Sequence, residues 1–475
     1  MPALGGFRRA AYPEVSGMEK NDIIVGTAEG VGTNGEGIVR AEGVTLFVPY
    51  LLPGERAEIK ILRRKGNIAY GKVLEVLTPA EDRVRPECPV FFRCGGCQLQ
   101  HLKYSAQLKF KTGLVRDSLL KIGGLKCTVS RCERSDKEYA YRNKLQLPIG
   151  RVGDKNAVGF YAERSHRIVP TDVCPIHPAW AEKLIAAVHT FMETCGLDGY
   201  DEETGSGQLR HIVVREIKRK FLVTLVTTEK TIPGIDYLLF LLDSVFPEYS
   251  FFLNYNPDRT NVVFGKEFVR LKGKDCYDCT EGGISYEAGM NTFLQVNEGV
   301  RTKLYERIVS LVEEGETVID CYSGGGLLTA MLAKKCGKSY GIEIVPEASR
   351  YAGELAVRNG LEGKTFNLCG PVEELLPDVL KENPGATVVL DPPRSGVERS
   401  VIHALLENKV EKILMVSCNP ATLARDLGLL TGALREVGKE LIKAEGYEPN
   451  YEIELVQPFD MFPQTRHVET LVMLT

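Results

Sequence analysis

Between residues 21 and 78 the apolar positions come in short runs broken by glycine and turn residues: DIIVGTAEG, GEGIVRAEGVTLFVPY and ERAEIKILRRKGNIAYGKVLEVL. Short β-rich runs separated by turns predict a small all-β barrel. The Pro- and charge-rich stretch TPAEDRVRPECP ends it, and CPVFFRCGGCQLQ follows. Beyond that, Leu108, Leu114, Val115 and Leu119 stand at helical spacing within a basic segment. A mixed, strand-rich region then runs to residue 290.

From residue 291 the pattern changes. Strand-like and helical runs alternate through ETVIDC, LLTAMLAKKCG, KSYGIEIV, PEASRYAGELAVRNG, GATVVLDPP, KILMVSCNP and ATLARDLGLLTG. Such alternation predicts a parallel, doubly wound α/β sheet. The chain is therefore read as multidomain: a disordered leader over 1–20, a barrel over 21–78, a central α+β domain over 79–290 and an α/β domain over 291–475. Segment 100–131 is a candidate to pack on the last of these, and Met18 is a second candidate start.

Ligands of doubly wound sheets bind beyond the carboxyl ends of the strands. Asp320, Glu343, Asp391 and Cys418 all fall at or just after the end of a strand-like run, so they are expected on one shared edge. The turn DCYSGGG makes a poor dinucleotide fingerprint, because Thr329 stands where its last Gly or Ala belongs. A glycine turn preceded by an acid, with Glu343 placed to take ribose hydroxyls, fits S-adenosylmethionine, which has no phosphate to cradle. A bare strand-to-helix turn is the competing reading. Asp391-Pro392-Pro393-Arg394 gives a rigid exit from its strand. Enzymes that methylate exocyclic amines follow Asp-Pro-Pro with an aromatic residue, and Arg394 in its place favours a different target atom.

Cys418 supplies the missing chemistry if that atom is carbon 5 of a pyrimidine, too weak a nucleophile to take a methyl group unaided. A thiolate adding to carbon 6 activates carbon 5. An unperturbed thiol, with a pKa of about 8.5, is mostly protonated at neutral pH, so the site is expected to stabilise the anion. No Lys, Arg or His adjoins Cys418. Backbone N–H groups of a helix starting near Ala421, or a more distant cation, are expected to serve instead. A buried structural cysteine is the alternative. The carbon 5 proton must also be removed. His467 and Glu469 both qualify, at the start of VETLVMLT, which alternates like an edge strand.

Composition narrows the classes further. A chain of 475 residues with 44% hydrophobic and 26% charged content exceeds one ordinary core. No secretory signal and no bilayer-spanning run appears, so a cytoplasmic location is expected. There the thirteen cysteines stay reduced and serve as ligands, nucleophiles or core filling. Cys88, Cys94 and Cys97 form C-x5-C-x2-C, and Cys174 in TDVCPIH offers a fourth thiolate. Four thiolates suit tetrahedral zinc or an iron–sulfur cluster. Cys276 and Cys279 read as ordinary strand residues. The net charge of −4 hides clustering: seven Lys/Arg against Asp117 alone lie between Gln98 and Arg131, and a second basic run spans Arg210 to Lys220. Either can face nucleic acid, although a solvated face is the commoner meaning of such runs.

In order and spacing, FLQVN (293–297), DCYSGGG, GIE, LDPPRSGV, VSCNPATLARD and DMFPQTRHVE resemble the RNA (uracil-5-)-methyltransferase family over residues 290–475. The resemblance implies a class I, Rossmann-like methyltransferase domain. In it Cys418 is the nucleophile, Glu469 the base with His467 a neighbour, and Gln295, Tyr322, Glu343 and Asp391 hold S-adenosylmethionine. Two departures stand out, Ser323 for the family's usual cysteine and Leu327 for a polar residue. CPVFFRCGGCQLQH resembles the branch acting on 23S ribosomal RNA. That likeness implies a 4Fe-4S cluster on Cys88, Cys94, Cys97 and Cys174, and an OB-like, RNA-binding TRAM barrel at the N-terminus. The expected partner is structured RNA, ribosomal with transfer RNA as the alternative, bound by a monomer away from membranes. An iron–sulfur RNA-binding protein with an inactive transferase fold is the reading from another class.

Overall fold

The computed structural model describes residues 18–475 apart from Asn291, Phe293, Lys439 and Glu445. The expected leader up to residue 17, and Phe293 of FLQVN, lie outside the described residues. These residues form two compact units: the chain up to Arg85 with His101–Lys103, and Pro86–Gln100 with Tyr104–Thr475.

In the first unit, strands Ile23–Val31, Gly37–Ala41, Val44–Val48, Arg56–Lys65 and Ile68–Thr78 close into a barrel. Alternation along the strands sends Val44, Leu46 and Val48, and Ala57, Ile59 and Ile61, into a common core with Met18. The ring closes where the first strand pairs with the fourth, Ile23 opposite Lys60. A Cβ at Gly71 would lie 2.6 Å from the Ile59 side chain, so closure there depends on glycine. Five strands in this arrangement match the small OB-like barrel expected from the sequence.

The second unit contains two large sheets. One has the order Glu267–Lys272, Tyr249–Tyr255, Lys220–Thr227, Leu209–Ile217, Lys144–Val152, Lys155–Tyr161, Ile168–Pro170. Helices Trp180–Cys195 and Ile235–Asp243 cover one of its faces through Ile212, Val214, Val223 and Leu225. Val213, Ile217, Leu222 and Val226 pack on the other face against the hairpin Cys276–Glu281/Ile284–Gly289. Cover on both faces corrects the reading of the first part of the second basic run, while Lys218 and Arg219 at its other end are exposed. Arg210 and Arg215 are buried, and the Arg210 guanidinium donates to the carbonyls of Asn256, Asp258 and Thr260. Lys111, counted in the first basic run, is likewise buried, paired with Asp460. Cys276 and Cys279 lie on one strand at an odd spacing, which sends them to opposite faces and leaves them unable to grip one ion.

The other large sheet comprises β1 (Thr317–Cys321), β2 (Lys338–Glu343), β3 (Thr365–Cys369), β4 (Thr387–Leu390), β5 (Ile413–Ser417), β6 (Ile453–Phe459) and β7 (Glu469–Leu474), in the order 3-2-1-4-5-7-6. The first five are parallel, and β7 runs antiparallel between β5 and β6. β7 is thus interior rather than the expected edge strand. EIELVQPF folds back as β6 to cover it, which leaves almost every residue of β7 buried. Helix Tyr104–Lys121 contributes Val115 and Leu119 to the core of this sheet, alongside Leu423, Leu427 and Leu430 of helix Pro420–Thr431.

Candidate active site

The carboxyl ends of β1, β4 and β5 open onto a cavity of about 470 Å3. Asp320 lies within β1, while Asp391 and Cys418 directly follow β4 and β5. All three line the cavity, together with Gln295, Tyr322 and Glu469, so five of the six sequence-assigned catalytic and cofactor residues meet there. The exception is Glu343. It is not among the lining residues, and its carboxylate accepts the N–H groups of Gly324 (2.9 Å) and Val345 (2.8 Å). Glu343 therefore shapes the glycine turn, whose Gly324 and Gly325 do line the cavity.

That turn is built by left-handed residues. Tyr322 (φ 64°), Gly324 (φ 54°) and Gly326 (φ 76°) reverse the chain between β1 and helix Leu327–Lys335. At Gly326 a Cβ would meet the Ala352 Cβ at 2.6 Å, so only glycine fits.

The cavity is rich in acids whose burial disfavours charge. Burial pushes Asp320 up to about 7, against the hydrogen bond it accepts from Thr329 Oγ1 at 2.5 Å. Burial raises Asp391 to about 6. Glu469 rises to about 8, first through burial and then through Asp391, with Arg394 opposing. The Cys418 thiol is raised too, by burial and then by Glu469, again against Arg394. The expectation of a site that lowers the thiol pKa is thus not met, because desolvation and two carboxyls outweigh one cation. His467 lines the same cavity, and burial followed by Arg394 and Arg466 lowers it to about 4, which keeps it neutral.

Arg394, the distant cation that sequence could only anticipate, is fastened beside Cys418 by its own backbone. Asn419 caps helix Pro420–Thr431 by accepting the Ala421 N–H at 3.1 Å, and its Nδ2 donates to the Arg394 carbonyl at 3.2 Å. Thus one of the helix N–H groups expected to help the thiolate, that of Ala421, is taken by Asn419. Arg425 donates to the Ser395 carbonyl (3.0 Å), and Asp426 accepts the Val397 N–H (2.9 Å). All three lie within NPATLARD, and Asn419 and Asp426, seven residues apart, share a helix face, the signal in the sequence that points to them.

Cys88, Cys94, Cys97 and Cys174 all line a separate apolar chamber with Val90, Phe91, Phe160 and Ile176. Cys94 Sγ accepts the Gly96 N–H at 3.4 Å, and His177 Nδ1 lies 3.2 Å from Cys174 Sγ. Burial raises all four thiols, Cys97 to about 12. Among the described residues, no three His, Cys, Asp or Glu side chains are set to hold a single metal ion.

Residues 374–475 match the tRNA (Uracil-5-)-methyltransferase family and residues 27–74 the TRAM domain. A Clostridium tetani protein bearing the name uncharacterized RNA methyltransferase is 38% identical over 452 residues, covering 94% of this chain and 95% of its own. A Halalkalibacterium halodurans protein of the same description is 37% identical over 464 residues, covering 96% and 98%. The structure of Pyrococcus abyssi tRNA (uracil-54, C5)-methyltransferase in complex with S-adenosyl-L-homocysteine superposes with a TM-score of 0.73 at 26% identity, covering 95% of this chain and 99% of that one. Fold and site define an S-adenosylmethionine-dependent RNA methyltransferase. The chain belongs to the same RNA methyltransferase family as these relatives, with a tRNA (Uracil-5-)-methyltransferase family domain over residues 374–475 and a TRAM domain over residues 27–74. No helix among the described residues is long and apolar enough to cross a membrane.

Proposed function

We propose that this protein methylates carbon 5 of a uridine in 23S ribosomal RNA, acting in the cytoplasm as a monomer, through covalent addition of Cys418 to carbon 6. The observation that carries the reading is the meeting of Cys418, Glu469 and Asp391 on one cavity beside the glycine turn. Gln295, Tyr322 and Asp391 hold S-adenosylmethionine, and Glu343 acts on it through Gly324. A cavity of about 470 Å3 suits a ligand of that size, and its acids suit a sulfonium cation. Bound there, S-adenosylmethionine supplies the electrophilic methyl group.

The chain's own residues do the rest. Cys418 loses its proton to solvent, with Arg394 favouring the anion, and adds to carbon 6. Once carbon 5 carries the methyl group, the Glu469 carboxylate takes the carbon 5 proton and the bond from carbon 6 to sulfur breaks. At neutral pH a carboxyl held near 8 is mostly protonated, so Glu469 first gives up its own proton to solvent; the carboxylate so formed takes the carbon 5 proton more readily than an ordinary one. On the barrel, Arg63, Arg64 and Lys65 are exposed, as is Tyr70 opposite Arg63, a mixture of cations and aromatic surface suited to RNA. The target base leaves its stack to reach the cavity, at a cost of a few kcal/mol that RNA contacts offset.

Cys88, Cys94, Cys97 and Cys174 are assigned a 4Fe-4S cluster. The apolar chamber and the sulfur-directed Gly96 N–H support it. Such a group would crosslink the segments that carry the four thiols.

Transfer RNA is the second reading, favoured by the full-length likeness to the Pyrococcus abyssi enzyme. Incubation with unmodified 23S ribosomal RNA and transfer RNA, followed by mass mapping of 5-methyluridine, separates the two. Ribosomal methylation is expected. Methylation of transfer RNA alone would replace the target, and none in either would end the enzymatic reading.

A further inference from the structure

The loop over residues 460–467 brings Phe462 and His467 to the cavity and leads directly into Glu469. Near its middle, Gln464 is only 2% exposed and has φ at +70°. A left-handed residue other than glycine persists where its surroundings over-determine it. Here they do so from every side. The Gln464 N–H donates to Gln107 Oε1 at 3.0 Å, and Gln107 Nε2 donates back to Gln464 Oε1 at 2.9 Å. The Gln464 carbonyl accepts the N–H groups of Gln98 (3.1 Å) and Leu99 (3.0 Å), the two residues after Cys97. Gln107 Nε2 also reaches the Leu99 carbonyl at 3.1 Å, so one amide spans both loops. On either side, Tyr141 donates to the Pro463 carbonyl (3.1 Å) and Lys111 to that of Phe462 (3.0 Å).

We propose that Gln464 is a positioning residue. Its reciprocal amide pair with Gln107, and its carbonyl's bonds to the segment after Cys97, hold the loop in its strained form so that Glu469 meets the carbon 5 proton. None of Cys88, Cys94, Cys97 and Cys174 lines the catalytic cavity, so the cysteine segment reaches the chemistry through this contact. The inference rests on the reading of Glu469 as the base. It assigns the Gln107–Gln464 pair to the proton-removal step, not to cofactor binding or methyl transfer.

The test uses the full chain with RNA carrying uridine deuterated at carbon 5. For Gln107→Ala, kcat should fall about 10- to 100-fold, as for a sub-ångström misplacement of a reacting group. S-adenosylhomocysteine affinity should stay within about twofold of wild type, because binding is not what was removed. The deuterium isotope effect on kcat should rise as proton removal becomes limiting. Gln464→Gly accepts the φ without strain but lacks the amide. It should raise the isotope effect with a smaller fall in kcat than Gln107→Ala, because the Gln464 N–H and carbonyl keep their bonds, and in the double variant it should add little to Gln107→Ala. An unchanged isotope effect, or cofactor affinity falling in step with kcat, would overturn the proposal. Glu469→Gln keeps the two readings apart. If it fails to accumulate a methylated covalent adduct, the base assignment is wrong. If it accumulates one while Gln107→Ala and Gln464→Gly keep the wild-type isotope effect, only the positioning role is wrong.

Discussion

Cys418 and Glu469 stand one step beyond the last paired residues of two adjacent antiparallel strands. Ser417 of β5 pairs with Thr470 of β7, and the next position in that register sets Cys418 against Glu469. Facing residues on such strands keep their Cβ atoms roughly 4.5–5.5 Å apart. The sheet itself thus delivers thiol and carboxyl to the same part of the cavity. Burial is the main reason each is hard to ionise, with Glu469 adding to it for the thiol and Asp391 for the Glu469 carboxyl.

That electrostatic cost makes stability depend on pH. The Glu469 carboxyl sits at about 8 in the folded chain against an ordinary value of 4.5. Folding therefore favours its protonated form, and the stabilisation is fully present below 4.5 and lost as pH rises through 8. Asp320, at about 7, and Asp391, at about 6, act in the same direction over lower windows. Glu469→Gln removes the highest of the three. Thermal unfolding should show the variant gaining on wild type as pH rises from about 4.5 to about 8, with the difference levelling off above that. A difference that stays constant across that range would contradict the burial of this carboxyl.

Lys111 tests the basic segment directly. Its ammonium is buried, bound to Asp460 and to the Phe462 carbonyl. Lys111→Met strands the Asp460 charge and should cost about 3–5 kcal/mol in chemical denaturation. RNA affinity of the folded fraction should be unaltered. A variant that keeps its stability but binds RNA more weakly would return Lys111 to the RNA-facing surface.

Asn419 both caps a helix and holds Arg394. Asn419→Ala should cost about 1 kcal/mol through the lost cap, and it should also slow turnover by releasing the Arg394 loop. Asn419→Asp keeps the acceptor for Ala421 N–H but has no donor for the Arg394 carbonyl. Stability should return and turnover should not. Recovery of both would show that the bond to Arg394 is dispensable.

The positions of Asp320, Asp391 and Cys418 were legible because strand and helix periods alternate plainly after residue 317, and the ends of those runs fall on one sheet edge. The barrel was legible for a similar reason, its glycines and turns marking each strand. What could not be read is tertiary. The partners of Arg210 lie in the stretch 256–260, and that of Lys111 is residue 460, so neither cation looks buried along the chain. β7 reads as an edge strand because nothing local announces that β6 will cover it. Glu343 was assigned to the cofactor, and its local role on the Gly324 N–H appears only when the turn is folded. Arg394 could be named as the residue after Asp-Pro-Pro, but not as the cation that acts on the thiol.

The account stands on a covalent bond between Cys418 and the target base, and that bond can be trapped. RNA carrying 5-fluorouridine, incubated with S-adenosylmethionine, offers fluorine where Glu469 would take a proton, so turnover should stop at the adduct. Wild type should yield a protein–RNA species that survives denaturation and maps to the peptide containing Cys418. Cys418→Ala should yield none while binding S-adenosylhomocysteine within about twofold of wild type. No adduct with wild type, or an adduct undiminished in Cys418→Ala, would contradict the account.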